Sequence, residues 1–175
     1  GATAIEQSSW APRSAAYRLT LFMGNLTPVP WEKIEDSWTA PAPGSALSED
    51  AMSRVTPAEA SAISAALAAQ DRQALFEAAT AVVAQGILRH LEAAESALGQ
   101  PNAAYEVAKA EALFRAFEDG IKAADAKAAR DLGRAWLVLN SSLGTAGVLG
   151  HGAQETDAER FAAARATLET YLTEK

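Results

Sequence analysis

The chain has 175 residues, about a quarter of them alanine, no cysteine and a formal net charge of -7. That length supports one domain with a substantial core and is short for two ordinary ones, so residues 1–175 are expected to form a single helical domain. The acidic balance, with no concentrated basic face, argues against nucleic acid or an anionic membrane as partner; the missing cysteine excludes a disulfide framework, a thiolate site and covalent c-type haem.

Abundant alanine with few β-branched and aromatic residues favours closely packed helices over strands. No apolar run is long enough to cross a bilayer, so membrane insertion is not expected. The opening Gly1-Ala2-Thr3-Ala4 and the polar stretch after it read either as a natural flexible end or as the trimmed start of a secreted or periplasmic chain whose signal peptide has been removed, and the second is the expectation carried forward.

Pro12 suits a first helical turn, and Tyr17, Leu19, Leu21, Phe22 and Met23 continue a short helix that stops near Gly24-Asn25. Pro28 and Pro30 break the chain, after which Trp31, Ile34 and Trp38 recur at helical spacing and predict a short amphipathic helix that clamps aromatics onto the core. Thr39 through Ser45 read as a Pro-rich loop.

Thr56-Pro57-Ala58-Glu59 is a capping box with proline at the first helical position, opening a helix to about Ala69. Asp71 caps the longest helix, about residues 72–98, closed by Gly99 with Pro101 beyond. Asn102 opens a helix to about Ala124, Asp125 caps one to about Leu143, and Thr156 or Asp157 starts the last, which ends near Tyr171. The stretches Leu67–Ala74 and Ile121–Ala128 resemble each other as helix-to-helix junctions at an aspartate, as either a degenerate hairpin duplication or an alanine-rich composition produces. The expected fold is all-α: an antiparallel four-helix bundle from about residue 57, preceded by an N-terminal helix and the short aromatic helix.

Candidate chemistry is sparse. His90, one of two histidines, has Gly86, Ala93 and Ala94 one turn away, a gap that admits a ligand or a close helix. It reads either as a satisfied, partly buried histidine or as a metal contact. Glu92 and Glu95 lie off its direction, so further ligands must come from carboxylates or Tyr105 on neighbouring helices. Glu111 and Glu118 flank one helix face seven residues apart; they could bind a hard cation, or form solvated pairs with Arg115 and Lys122 four residues on.

Two histidines cannot furnish a three-His zinc site, and neither histidine follows a glutamate by three as in di-iron bundles. Gly144–Gly152 is glycine-rich but lacks the ending of a phosphate-binding loop; it reads as a connection, or as a pocket rim carrying His151. Trp136 continues an apolar stripe, and Asn140, with Ser141 and Ser142, puts polar groups near a pocket mouth or simply ends the helix. No Gly-x-Ser-x-Gly elbow is present, and the chain offers too few convergent polar groups to name a reaction.

The stretch from Ile87 through Gly144, with the runs Ala104-Tyr105-Glu106, Leu113 through Gly120 and Ala123-Ala124-Asp125, resembles the periplasmic helical domains of bacterial iron uptake. These are the imelysin-like proteins and the extracytoplasmic domain of high-affinity iron permeases. The resemblance implies an envelope or periplasmic helical bundle that handles iron or another cation. The His-x-x-Glu signature of imelysin-like proteins is broken by Ala93 after His90, and the permeases' Arg-Glu-x-x-Glu motif is absent.

The expected function is a non-catalytic periplasmic or envelope binding or accessory protein in metal uptake. A transition-metal ion and a membrane transport protein are the expected partners. His90, Glu111, Glu118 and Tyr105 are its candidate metal contacts; Trp136, Asn140 and His151 are its candidate binding residues. The alternative is a protein interaction module whose groove accepts a helix or peptide, which an exposed apolar patch around Trp31, Trp38 or Trp10 would favour.

Overall fold

The computed structural model describes residues 12–39, 56–144 and 155–174. Among them the chain forms seven helices and no strand, as expected of an all-α protein. These are α1 (Pro12–Gly24), α2 (Trp31–Thr39), α3 (Pro57–Ala69), α4 (Arg72–Ser96), α5 (Pro101–Ala124), α6 (Ala126–Ser142) and α7 (Ala158–Glu174). The contacts divide the chain into two compact units, residues 1–85 and 86–175, and the division falls within α4.

In the first unit, α1 and α2 pack together. Ile34 and Trp38 are buried one turn apart on α2, and the Trp38 indole Nε1 donates to the hydroxyl of buried Thr20 on α1 at 2.8 Å. The apolar body of the indole is thereby buried without leaving its N–H unpaired. Gly24 lets the Phe76 ring of α4 come against the end of α1: a Cβ there would lie 2.5 Å from the ring. The capping box closes as the sequence predicts, with Thr56 accepting from the Glu59 N–H and Glu59 accepting from the Thr56 N–H.

The two similar junctions are capped by the same interaction. Asp71 Oδ1 accepts from the Ala74 N–H and Asp125 Oδ1 from the Ala128 N–H, each at 3.0 Å. They differ in length. The first needs Gln70 in the left-handed region, φ 50°, before its aspartate; at the second, Asp125 alone ends α5 and begins α6.

In the second unit the apolar stripes follow helical spacing. Helix α5 buries Val107, Ala110, Leu113, Phe114, Phe117 and Ile121; α6 buries Leu132, Ala135, Trp136 and Leu139; α7 buries Phe161, Ala164 and Leu168. Fully burying each large apolar side chain contributes roughly 1.5–3 kcal/mol, which holds helices whose exposed faces are mostly polar. Helix α5 begins at Pro101, one residue before the expected Asn102; proline fits the first turn because its missing N–H has no helical acceptor there, and Gln100 makes no side-chain cap. Helix α7 is capped by Asp157, which accepts from the Arg160 N–H, and continues past Tyr171 to Glu174.

Glu111 of α5 meets Asn140 of α6, and Phe114, further along α5, meets Trp136, earlier in α6, so these two helices run antiparallel. Helix α7 packs on α6, and Arg165 of α7 pairs with Glu95 near the end of α4. Beyond residues 145–154 the chain returns to the end of α6, where the Asp157 N–H donates to the Ser142 carbonyl at 2.9 Å.

Candidate functional site

Antiparallel packing of α5 against α6 turns two separate sequence patterns into one groove of about 200 Å³. Its floor is apolar, with Phe114, Ile121, Ala129 and Trp136, and the exposed Leu137 lies at its edge. Glu111, Glu118, Lys122 and Asn140 supply the polar lining. The Phe114 and Trp136 rings meet at 5.3 Å and 51°, a tilted aromatic pair that fixes the floor. Gly133, in the middle of α6, also lines the groove, and a Cβ built there would meet nothing within 4 Å. Glycine at this position therefore keeps space open rather than relieving a clash.

The polar groups of the groove are incompletely paired. The Asn140 amide donates to the Trp136 carbonyl at 2.9 Å and reaches Glu111 Oε2 at a long 3.5 Å. Among the described residues, neither the Glu111–Arg115 nor the Glu118–Lys122 spacing closes into an ion pair. Trp136 is only 4% exposed, yet its Nε1 has no acceptor. A buried donor left so costs about 1–3 kcal/mol, and Trp38 shows the ordinary solution to the same problem.

The sequence candidates thus separate into two places. Glu111, Glu118, Trp136 and Asn140 converge on the groove. His90 and Tyr105 do not line it. The clearing around His90 admits the neighbouring helix: His90 Nδ1 meets Glu106 Oε2 of α5 at 2.7 Å, and Lys109 reaches Glu106 Oε1 at 3.3 Å. The Lys109 ammonium also lies 4.5 Å from the centre of the Tyr105 ring, a cation–π contact. Burial alone pushes the Glu106 carboxyl up, but the His90 hydrogen bond and the nearby Lys109 charge outweigh it and hold the group below its ordinary 4.5. Glu106 is therefore ionised at neutral pH and accepts only, so the His90 nitrogen facing it carries the hydrogen.

No three His, Asp or Glu side chains gather closely enough to hold a metal ion among the described residues. The geometry explains this for the named set. Glu111 and Glu118 stand seven residues apart, about 10.5 Å along the axis, and helical side chains lean the same way instead of converging. Glu95, one turn beyond His90, is drawn to Arg165. His151 lies outside the described residues, as does Trp10.

The exposed aromatic patch that would favour the interaction reading is not formed by the tryptophans of α2, which clamp onto the core as their spacing predicts. Trp38 is buried by its bond to Thr20 and Trp31 is half-buried. The large apolar side chains exposed among the described residues are Leu19, Phe22 and Leu26 in the first unit and Leu137 at the groove.

Sequence reasoning missed Glu106, Gly133 and Leu137. A glycine three residues before Trp136, inside an otherwise continuous helical pattern, is a legible sign of an open or closely approached position. The pairing of Glu106 with His90 depends on lateral helix placement and has no such sign. Comparison with protein-family models, with curated proteins and with solved structures gives no match.

Proposed function

We propose that this is a non-catalytic binding or accessory protein that works through the α5–α6 groove. One observation carries the reading: an apolar floor, two carboxylates outside any ion pair and a buried indole donor without an acceptor share a single cleft. Small apolar clefts with a few convergent polar groups are the usual form of a ligand site. Those groups include no arrangement of nucleophile and base, which favours binding over catalysis.

The metal-uptake form of this reading, with an envelope location and a membrane transport partner, draws its support from the sequence resemblance. His90 and Glu106 supply two donors for it, and no third His, Asp or Glu joins them among the described residues. The interaction form draws on Leu137, which is 72% exposed at the groove.

The test is titration of the full chain with a set of amphipathic amine fragments and, separately, with ferrous, ferric, copper and zinc ions. Binding is followed by calorimetry and by the indole resonances. Fragments are expected to shift the Trp136 indole saturably and to lose that effect in Gly133→Leu, which fills the cleft. No shift at Trp136 with any fragment contradicts the groove as the site. Ion binding that disappears in His90→Ala supports the metal form; equal binding by that variant contradicts it.

A further inference from the structure

We propose that the occupant of the groove is an arginine side chain presented by a partner polypeptide, with its stem across the Phe114–Trp136 floor and its guanidinium at Glu111. This deepens the binding reading above and rests on it. Size is the first argument. A cleft of about 200 Å³ lies below the roughly 300–1,000 Å³ of sites for whole small-molecule ligands, and it suits a single long side chain.

Charge places the guanidinium at one end. Lys122 follows Glu118 by one turn, so that end of the groove is close to neutral. Glu111 is eleven residues from Lys122, roughly 16 Å along α5 and beyond a physiological screening length of about 8 Å. Of the two cations nearest Glu111 in sequence, Lys109 is held by Glu106, and Arg115 is exposed and makes no ion pair with Glu111; neither lines the groove. The uncompensated negative charge therefore stands where α5 faces Asn140.

The floor favours arginine over lysine. A planar, weakly hydrated guanidinium and its stem stack on aromatic faces and present a fork of donors to a carboxylate, whereas an ammonium is a compact and strongly hydrated charge. The unpartnered Trp136 Nε1 is an independent observation, because it asks for an acceptor that no cation brings. A polypeptide carries carbonyl oxygens beside its arginine. Nε1 is covered in the free protein, so the acceptor reaches it only with a side-chain adjustment beside Trp136, which itself lines the groove.

A displayed library of random peptides, selected on the full chain and counter-selected on Gly133→Leu, tests the assignment. The best peptide is then titrated as selected and with citrulline, arginine's uncharged isostere, in place of arginine. Arginine next to a leucine or aromatic residue is expected to be enriched. Affinity should fall about ten-fold or more with citrulline, and by a similar factor in Glu111→Gln, while Arg115→Gln binds like the wild type. Peptides without arginine enrichment, or a citrulline peptide within about two-fold of its parent, overturn the arginine assignment; the groove reading survives if Gly133→Leu still abolishes capture. Failure of any peptide to distinguish the wild type from both Gly133→Leu and Glu111→Gln overturns the two together. Circular dichroism of each variant separates lost binding from lost fold.

Discussion

Gly133 and Gly120 offer a matched pair of substitutions whose energies follow from the structure. Both are exposed glycines inside helices, and a Cβ at either meets nothing within 4 Å. Alanine in a helix interior is more favourable than glycine by about 1 kcal/mol, because glycine loses more backbone freedom on folding. Neither site has a contact for the new methyl to break, so each Gly→Ala change should stabilise by about that amount. For a chain of this size that is an increase in Tm of roughly 2–4 °C. Urea denaturation followed by helical circular dichroism measures both. The two variants should then part in function: Gly133 lines the groove and Gly120 does not, so only substitutions at Gly133 should alter ligand affinity. A neutral or destabilising Gly133→Ala would refute the claim that its Cβ direction is open. Equal effects on binding at both sites would refute the assignment of the groove.

Trp136→Phe removes an indole N–H that has no acceptor, so its relief offsets lost packing and the net cost by denaturation should stay below about 1 kcal/mol. Trp38→Phe leaves the buried Thr20 hydroxyl without its donor and should cost about 2–3 kcal/mol in the same assay. Gly24→Ala drives a methyl against the Phe76 ring and should destabilise by about 1–3 kcal/mol, with part of the loss recovered in Phe76→Leu. Glu106→Gln should cost about 1.5 kcal/mol at pH 7. The folded-state value of Glu106 is depressed, so its contribution is present above its ordinary 4.5 and is lost as the pH falls through the folded value. The difference between wild type and Glu106→Gln should accordingly shrink below pH 4.5, and a difference that grows with acidification would contradict the pairing.

Local signals in this chain are strong and lateral ones are weak, and what could be read from it follows that division. Thr56, Asp71, Asp125 and Asp157 mark helix starts because each cap is a bond to a backbone N–H three residues on, and the caps form as spaced. The stripe of α5 is equally local. Which helix faces which is not, since many alanines allow close approach on several sides. His90 therefore stood in a legible gap, but nothing adjacent in sequence said that Glu106 would fill it. Glu111, Glu118, Trp136 and Asn140 could each be singled out for residue type and position, yet only the antiparallel contact of α5 with α6 shows that they share a cleft. The helical spacing of Ile34 and Trp38 was enough to place that tryptophan on the core side of α2, but its polar partner, Thr20, lies on a different helix and had no sign in the sequence.

The most direct test of the groove is the indole N–H resonance of Trp136, assigned by its loss in Trp136→Phe, during titration of the full chain with the selected arginine peptide. A saturable shift of that resonance, together with the amides around Gly133 and Asn140, is the predicted result. Shifts confined to the exposed stripe of Leu19, Phe22 and Leu26, with the Trp136 indole unmoved, would contradict it.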